Sequence, residues 1–313
     1  MKKRILILLL TAVLVLNLAG CTQASQEKNL TVVTAIFPEY DWVRQIIGPD
    51  SSITLRLLVD DGVDPHSFQP TVEDMVTVSG CDLLIFGGGE SDAWLADTLR
   101  SAANPNMRVL KLMELLGDGA YTAEVVEGMQ VHDAEDETDE HVWLSLRNAA
   151  LFCTAIADAL CQLDPEHADT YETNLEAYLE KLRALDEAYQ QTIQAAAKDT
   201  ILLCDRFPFR YLTEDYGLHY YAAFPGCSAE SGASFETVVF LADRVRELEL
   251  NAVLITESSD GRLAQTVVQN AGRENAAVLT LDSMQSVSIQ QAAHREYLTI
   301  MEQNRQVLAA ALE

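Results

Sequence analysis

From residue 149 to residue 197 the chain carries no glycine and a single proline, Pro165. A stretch that long without a backbone-loosening residue reads as helix, and proline inside it forces a break because it lacks an N–H and clashes one turn back. The expectation is one long helix, or two in line divided at Pro165, acting as a stiff connector. On either side the pattern is different. Short apolar runs at 30–36, 53–59 and 83–86 precede the connector, and runs at 200–204, 220–224, 252–256 and 277–281 follow it, with stretches of helical period between them. That alternation predicts βα units and parallel sheets. The fold class is therefore α/β: an N-terminal lobe over 30–148, the connector over 149–197 and a C-terminal lobe over 198–313, closed by an amphipathic helix over 294–312. Two such lobes leave a cleft between them, and ligands of open parallel sheets collect at the carboxyl ends of the strands.

The first twenty residues read as a secretory leader. Lys2, Lys3 and Arg4 form a positive head, and residues 5–16 form an apolar run too short to span a bilayer. Leu18-Ala19-Gly20-Cys21 resembles the lipobox of bacterial lipoproteins. That resemblance implies lipidation at Cys21, a tether over 21–29 and an extracytoplasmic body held at the outer face of the cell membrane by lipid alone. The 48 acidic residues against 21 basic ones give a formal net charge of −27, which makes nucleic acid an unsuitable partner. Five cysteines remain after Cys21, an odd number with no Cys-x-x-Cys pair. Cys153 and Cys161 lie too far apart along one helix to bridge, whereas Cys204 and Cys227 follow neighbouring predicted strands and leave a bridge open.

Three places after predicted strands carry metal-binding chemistry. In Asp64-Pro65-His66-Ser67-Phe68-Gln69-Pro70 two prolines stiffen the loop around His66, lowering the ordering cost of coordination. His141, in Asp139-Glu140-His141-Val142-Trp143, stands where an acidic stretch beginning at His132 meets the apolar run of the connector. Asp282 follows the 277–281 strand. Taken singly, each has an ordinary alternative: a surface histidine, a solvated acidic loop, and a helix N-cap.

Taken together, the segments "DPHSFQPT" (64–71) and "EHVWLSLRNA" (140–149), with Gly87-Gly88-Gly89, Trp94-Leu95, "YLTEDYGL" (211–218) and the "VLTLDSMQS…AAHREYL" region, resemble the zinc and manganese solute-binding lipoproteins of bacterial ABC importers. The resemblance covers nearly the whole chain after Cys21. It implies two α/β lobes bridged by a long rigid helix and a four-ligand metal site in the interlobe cleft, with His66 and His141 as the first two ligands and Asp282 as the fourth. At the third position the chain departs from the family. Relatives carry His or Glu five residues before the tyrosine matching Tyr211, and here that residue is Arg206, whose guanidinium has no lone pair to donate. Asp205 is the leading substitute, with Glu257 and Cys204 as alternatives.

Two imidazoles and two carboxylates suit Zn2+, with Mn2+ or iron as alternatives. The acidic 132–141 loop is similar to a diluted version of the His-rich loop of zinc-specific members and favours zinc. The implied partner is an ABC permease in the cytoplasmic membrane, served by a monomer. Four protein ligands would leave no open position for catalytic water, and the sequence has no His-Glu-x-x-His, Gly-x-Ser-x-Gly or P-loop motif, so the reading is a carrier and not an enzyme. Two alternatives stay open: a binding protein for another cargo such as a metal chelate, with Arg206 and Arg210 on an anion, or a surface adhesin-type lipoprotein in cell adhesion.

Overall fold

The computed structural model describes residues 29–49, 51–60, 62–130, 138–226 and 232–313. The leader, Cys21, most of the tether and Cys227 lie outside the described residues. The N-terminal lobe runs β1 (Thr31–Thr34), α1 (Phe37–Ile47), β2 (Thr54–Leu57), α2 (Val72–Gly80), β3 (Leu83–Phe86), α3 (Trp94–Arg100) and β4 (Arg108–Lys111). Then come α4 (Leu146–Leu163) and α5 (Ala168–Ala195). The C-terminal lobe runs β5 (Thr200–Phe207), α6 (Arg210–Tyr216), β6 (His219–Pro225), α7 (Phe235–Glu247), β7 (Ala252–Ile255), α8 (Arg262–Asn270), β8 (Ala277–Thr280) and α9 (Tyr297–Ala311).

Each lobe holds a four-stranded sheet, ordered β2-β1-β3-β4 and β6-β5-β7-β8, and every pairing is parallel. The inner strands explain the apolar runs, since Val32, Val33 and all four residues of β3 are buried where helices cover both faces. The edge strand β4 was not expected. Arg108 and Lys111 end its four residues, and an edge needs neither length nor apolarity.

The connector differs from two helices in line. Arg147 Nε lies 3.4 Å from Asp186 Oδ1, near the start of α4 and the end of α5 respectively, so the helices run antiparallel and the chain reverses at residues 164–167. The reason lies in α4 itself. Ala149, Phe152, Cys153, Ile156, Ala157 and Leu160 form a buried stripe that a collinear continuation would leave in water. The bridge is α5 alone, 28 residues and hence about 42 Å long at roughly 1.5 Å per residue. It is fastened to both lobes: Asn174 Nδ2 donates to Ile46 O (2.9 Å) in the first, and Tyr189 Oη to Met301 O (2.6 Å) in the second.

The lobes also meet directly. Trp143 Nε1 donates to Ser283 O at 2.8 Å, Tyr297 Oη to Trp143 O at 2.7 Å, and Arg44 reaches the carbonyls of Ala292 and Arg295 at 2.6 Å each. Cys81, Cys153, Cys161 and Cys204 are free thiols. None of the described helices is long and apolar enough to cross a membrane.

Candidate metal centre

His66 sits on a single 3-10 turn, Pro65–Ser67, at the end of the loop after β2. Asp64 precedes that turn and takes two bonds from the histidine through one oxygen: from its backbone N–H at 3.0 Å and from Nδ1 at 2.8 Å. The other Asp64 oxygen pairs with the Arg206 guanidinium, which arrives from β5 in the opposite lobe. Burial works against the Asp64 charge, but the His66 hydrogen bond and the Arg206 and His66 charges outweigh it and hold the carboxyl well below the usual range.

His141 repeats the arrangement. Asp139 Oδ1 accepts from the His141 backbone N–H and from Nδ1, both at 2.9 Å, and the ring is fully buried beside Trp143. A carboxylate holding Nδ1–H leaves the lone pair of a neutral imidazole on Nε2, the atom that binds a metal. The His141 Nε2 lone pair is met by the Gln285 amide nitrogen at 3.0 Å, and Gln285 belongs to the C-terminal loop that follows β8. The two imidazole centroids are 5.6 Å apart, with their planes inclined at 31°.

Glu140 lies against the His66 ring. Its Oε1 is 2.8 Å from His66 Nε2, and its Oε2 accepts from Ser91 Oγ at 2.7 Å and Ser91 N at 3.2 Å. Burial raises its pKa, but the His66 hydrogen bond, the charges of His66 and His141 and the Ser91 bond bring it down to about 2. The backbone at Gly89 makes room for it, since a Cβ there would come within 2.0 Å of Oε2. Gly226 does the same for His141, where a Cβ would lie 3.1 Å from the ring. Next to Glu140, Asp92 accepts from Gly88 N at 2.9 Å, and burial together with the Glu140 charge pushes it up to about 6.

The C-terminal carboxylates are engaged within their own lobe. Asp205, near the end of β5, accepts from Thr256 Oγ1 and from Arg206 N, both at 2.8 Å. Asp282 accepts from Met284 N at 2.8 Å and pairs with Arg295. Glu257 accepts from Ser283 N at 2.8 Å, and burial and the nearby Asp282 charge raise its pKa. Cys204 faces the core, where burial and the neighbouring Asp205 charge drive the thiol pKa up. Among the described residues no group of three or more His, Cys, Asp or Glu side chains stands ready to hold a metal ion.

The structure thus brings His66 and His141 together, and sets Asp205 and Asp282 against partners of their own. Sequence reasoning passed over Asp64 and Asp139 as orienting groups, and Glu140 and Gln285 as neighbours of the rings. The first two were visible in the repeated Asp-x-His pattern. The others were not, because only the tertiary fold brings Ser91 and Gly89 against Glu140, or residue 285 against residue 141.

Two parallel-sheet lobes and a rigid helix fastened to both define a two-lobed α/β protein, with a pair of oriented imidazoles in the cleft between the lobes. Residues 32–311 match the ZnuA family, described as zinc-uptake complex component A, periplasmic, and the chain belongs to it. It is 29% identical over 308 residues to the zinc-binding lipoprotein AdcA of Streptococcus pneumoniae, covering 96% of this chain and 60% of AdcA. It is 24% identical over 291 residues to the high-affinity zinc uptake system protein ZnuA of Bacillus subtilis, covering 92% and 89% of the two chains. The crystal structure of the Zn(II)-bound ZnuA-like domain of S. pneumoniae AdcA superposes with a TM-score of 0.72 at 25% identity, over 91% of this chain and 99% of that domain. The chain therefore spans about 60% of the length of AdcA.

Proposed function

We propose that this chain captures a divalent cation, zinc in preference to manganese, in the interlobe cleft and delivers it to an ABC import permease, as a monomer held to the outer face of the membrane by lipid on Cys21. His66 and His141 are the nitrogen donors. Asp282 and Asp205 are the oxygen donors that the C-terminal lobe offers, each exchanging its present partners for the ion. The body is a carrier without catalytic chemistry.

The observation that carries this reading is the imidazole pair. Two rings bound through Nε2 to one tetrahedral ion at about 2.05 Å hold their centroids about 5.2 Å apart. The separation here is 5.6 Å, and each Nδ1 is already committed to a carboxylate. An anionic chelate as cargo has less support, because Arg206 is paired with Asp64 and Arg210 with Glu124 and Glu214.

The test is equilibrium dialysis of the lipid-free protein against zinc and against manganese. The expected result is one ion per chain, bound at micromolar affinity or better, and lost in His66→Ala and in His141→Ala. No binding by the unaltered protein, or unchanged binding in both variants, overturns the reading.

A further inference from the structure

We propose that Arg206 is a positioning residue for the metal centre: from the C-terminal lobe it clasps Asp64, the carboxylate that orients His66, so that this imidazole is held in place only while the lobes are closed. This rests on the metal-capture reading for the role of His66, while the clasp itself is tested without any ion.

The Asp64 carboxylate divides its work between its two oxygens. Oδ1 takes the His66 backbone N–H at 3.0 Å and Nδ1 at 2.8 Å, and Oδ2 takes the guanidinium of Arg206, 142 residues away in the chain. The last torsion of an aspartate is broad, so a carboxylate gripped by one oxygen alone can still swing. A charge-assisted bond on the second oxygen removes that freedom. The guanidinium therefore acts on the ring through Asp64.

The strand that carries Arg206 aims it across the cleft. Along β5 the register with β6 runs regularly from Thr200 to Leu203 and shifts before Arg206, which pairs with Phe224. Such an irregularity re-aims the side chains beside it. Cys204 turns into the core, Asp205 accepts from the Thr256 hydroxyl at 2.8 Å, and Arg206 reaches the other lobe. Asp205 also holds the Arg206 N–H at 2.8 Å, which pins the backbone from which the guanidinium projects. The Arg206 and Asp64 side chains keep only 22% and 17% of their surface, so water screens them less than a fully exposed pair. The holder of His141 is placed differently. Asp139 keeps 4% of its side-chain surface, and the C-terminal lobe reaches its main-chain carbonyl, through Tyr211 Oη at 3.1 Å. Parting the lobes along the Arg206 edge strips the guanidinium from Asp64 and loosens His66, which ties the loss of one donor to opening of the cleft. The competing account makes Arg206–Asp64 an ion pair with no hold on the turn.

The deciding experiment is hydrogen exchange of the metal-free protein, followed at the amides of His66, Ser67 and Phe68, which donate to Asp64 and Pro65. Opening this turn breaks the clasp, so the strength of the clasp enters the exchange rate directly. In Arg206→Ala these amides should exchange about tenfold faster, the lower end for a charge-assisted hydrogen bond, as suits a pair still partly in water. Arg206→Lys, which keeps the charge, should recover part of that protection. In an Asp64→Asn background Arg206→Ala should add nothing further, because the effect passes through the carboxylate. Amides of α5 serve as the internal reference. Rates within about twofold of the unaltered protein, no recovery with lysine, or an equal effect in both backgrounds overturns the proposal. If Arg206→Ala does not fold, Arg206→Gln is read against the same limits. Absence of zinc binding in the unaltered protein is a different result, since it removes the capture reading and leaves the exchange rates as they are.

Discussion

Asp139→Asn tests how the site is prepared for metal. In the unaltered protein one Asp139 oxygen accepts both the His141 N–H and the Nδ1–H, at 2.9 Å each, which places the lone pair on Nε2. An asparagine can keep the backbone bond through its carbonyl oxygen. It can then offer its amide N–H to Nδ1, which turns the ring into the tautomer with its proton on Nε2. That proton blocks coordination, and shifting it back costs the new hydrogen bond. Outer carboxylates that hold a ligating imidazole contribute about 10–100-fold in metal affinity, or about 1.4–2.7 kcal/mol. Because His141 is fully buried, water cannot supply the missing acceptor, and the effect belongs near the upper end of that span. The assay is competition of the protein against a chromophoric chelator for zinc, with thermal unfolding of the metal-free proteins run in parallel. A variant that keeps its cooperative unfolding but binds zinc within twofold of the unaltered protein refutes the reasoning, because the Nδ1 carboxylate would then have no part in ligand basicity.

Three further outcomes follow from the same contacts. Glu140 in the folded protein holds its proton less tightly than its ordinary value of 4.5, down to about 2. The stability it contributes is therefore complete above about pH 4.5 and lost as the pH falls toward 2; urea midpoints between pH 6 and 3 should drop less steeply in Glu140→Gln. Glu39 is the opposite case: burial and then the Asp92 charge raise its pKa against the Ile36 and Ala35 N–H bonds, so its charge costs stability as the pH rises above 4.5. Glu39→Gln should raise the melting temperature at pH 8 and lose that advantage toward pH 4. Tyr189→Phe removes the bond to Met301 O (2.6 Å), a carbonyl inside α9 that keeps its helical partner; chemical unfolding should show a loss of about 0.5–1.5 kcal/mol, and an unchanged midpoint would mean that α5 is not fastened there.

Much of the fold could be read from the chain because parallel sheets write themselves as apolar runs. Val32, Val33 and the whole of β3 are buried on both faces, so no alternation conceals them. The same logic hid β4, whose ends carry Arg108 and Lys111 on an open edge. The fold-back at Pro165 was half visible: proline marks a break in any helix, but its direction depends on which surface the α4 stripe finds, and that surface is distant in sequence. At the site, His66 and His141 stand out through their loops. The roles of Glu140 and Gln285 depend on Ser91, on Gly89 and on the loop after β8, which no local pattern connects.

The double fastening of α5 limits how far the two halves can move apart. A protein whose halves swing apart announces its cargo by its outline. Here one unbroken rod is bonded to both halves, and Trp143 is tied to the strand-end loop across the gap, so any large swing must first break these bonds.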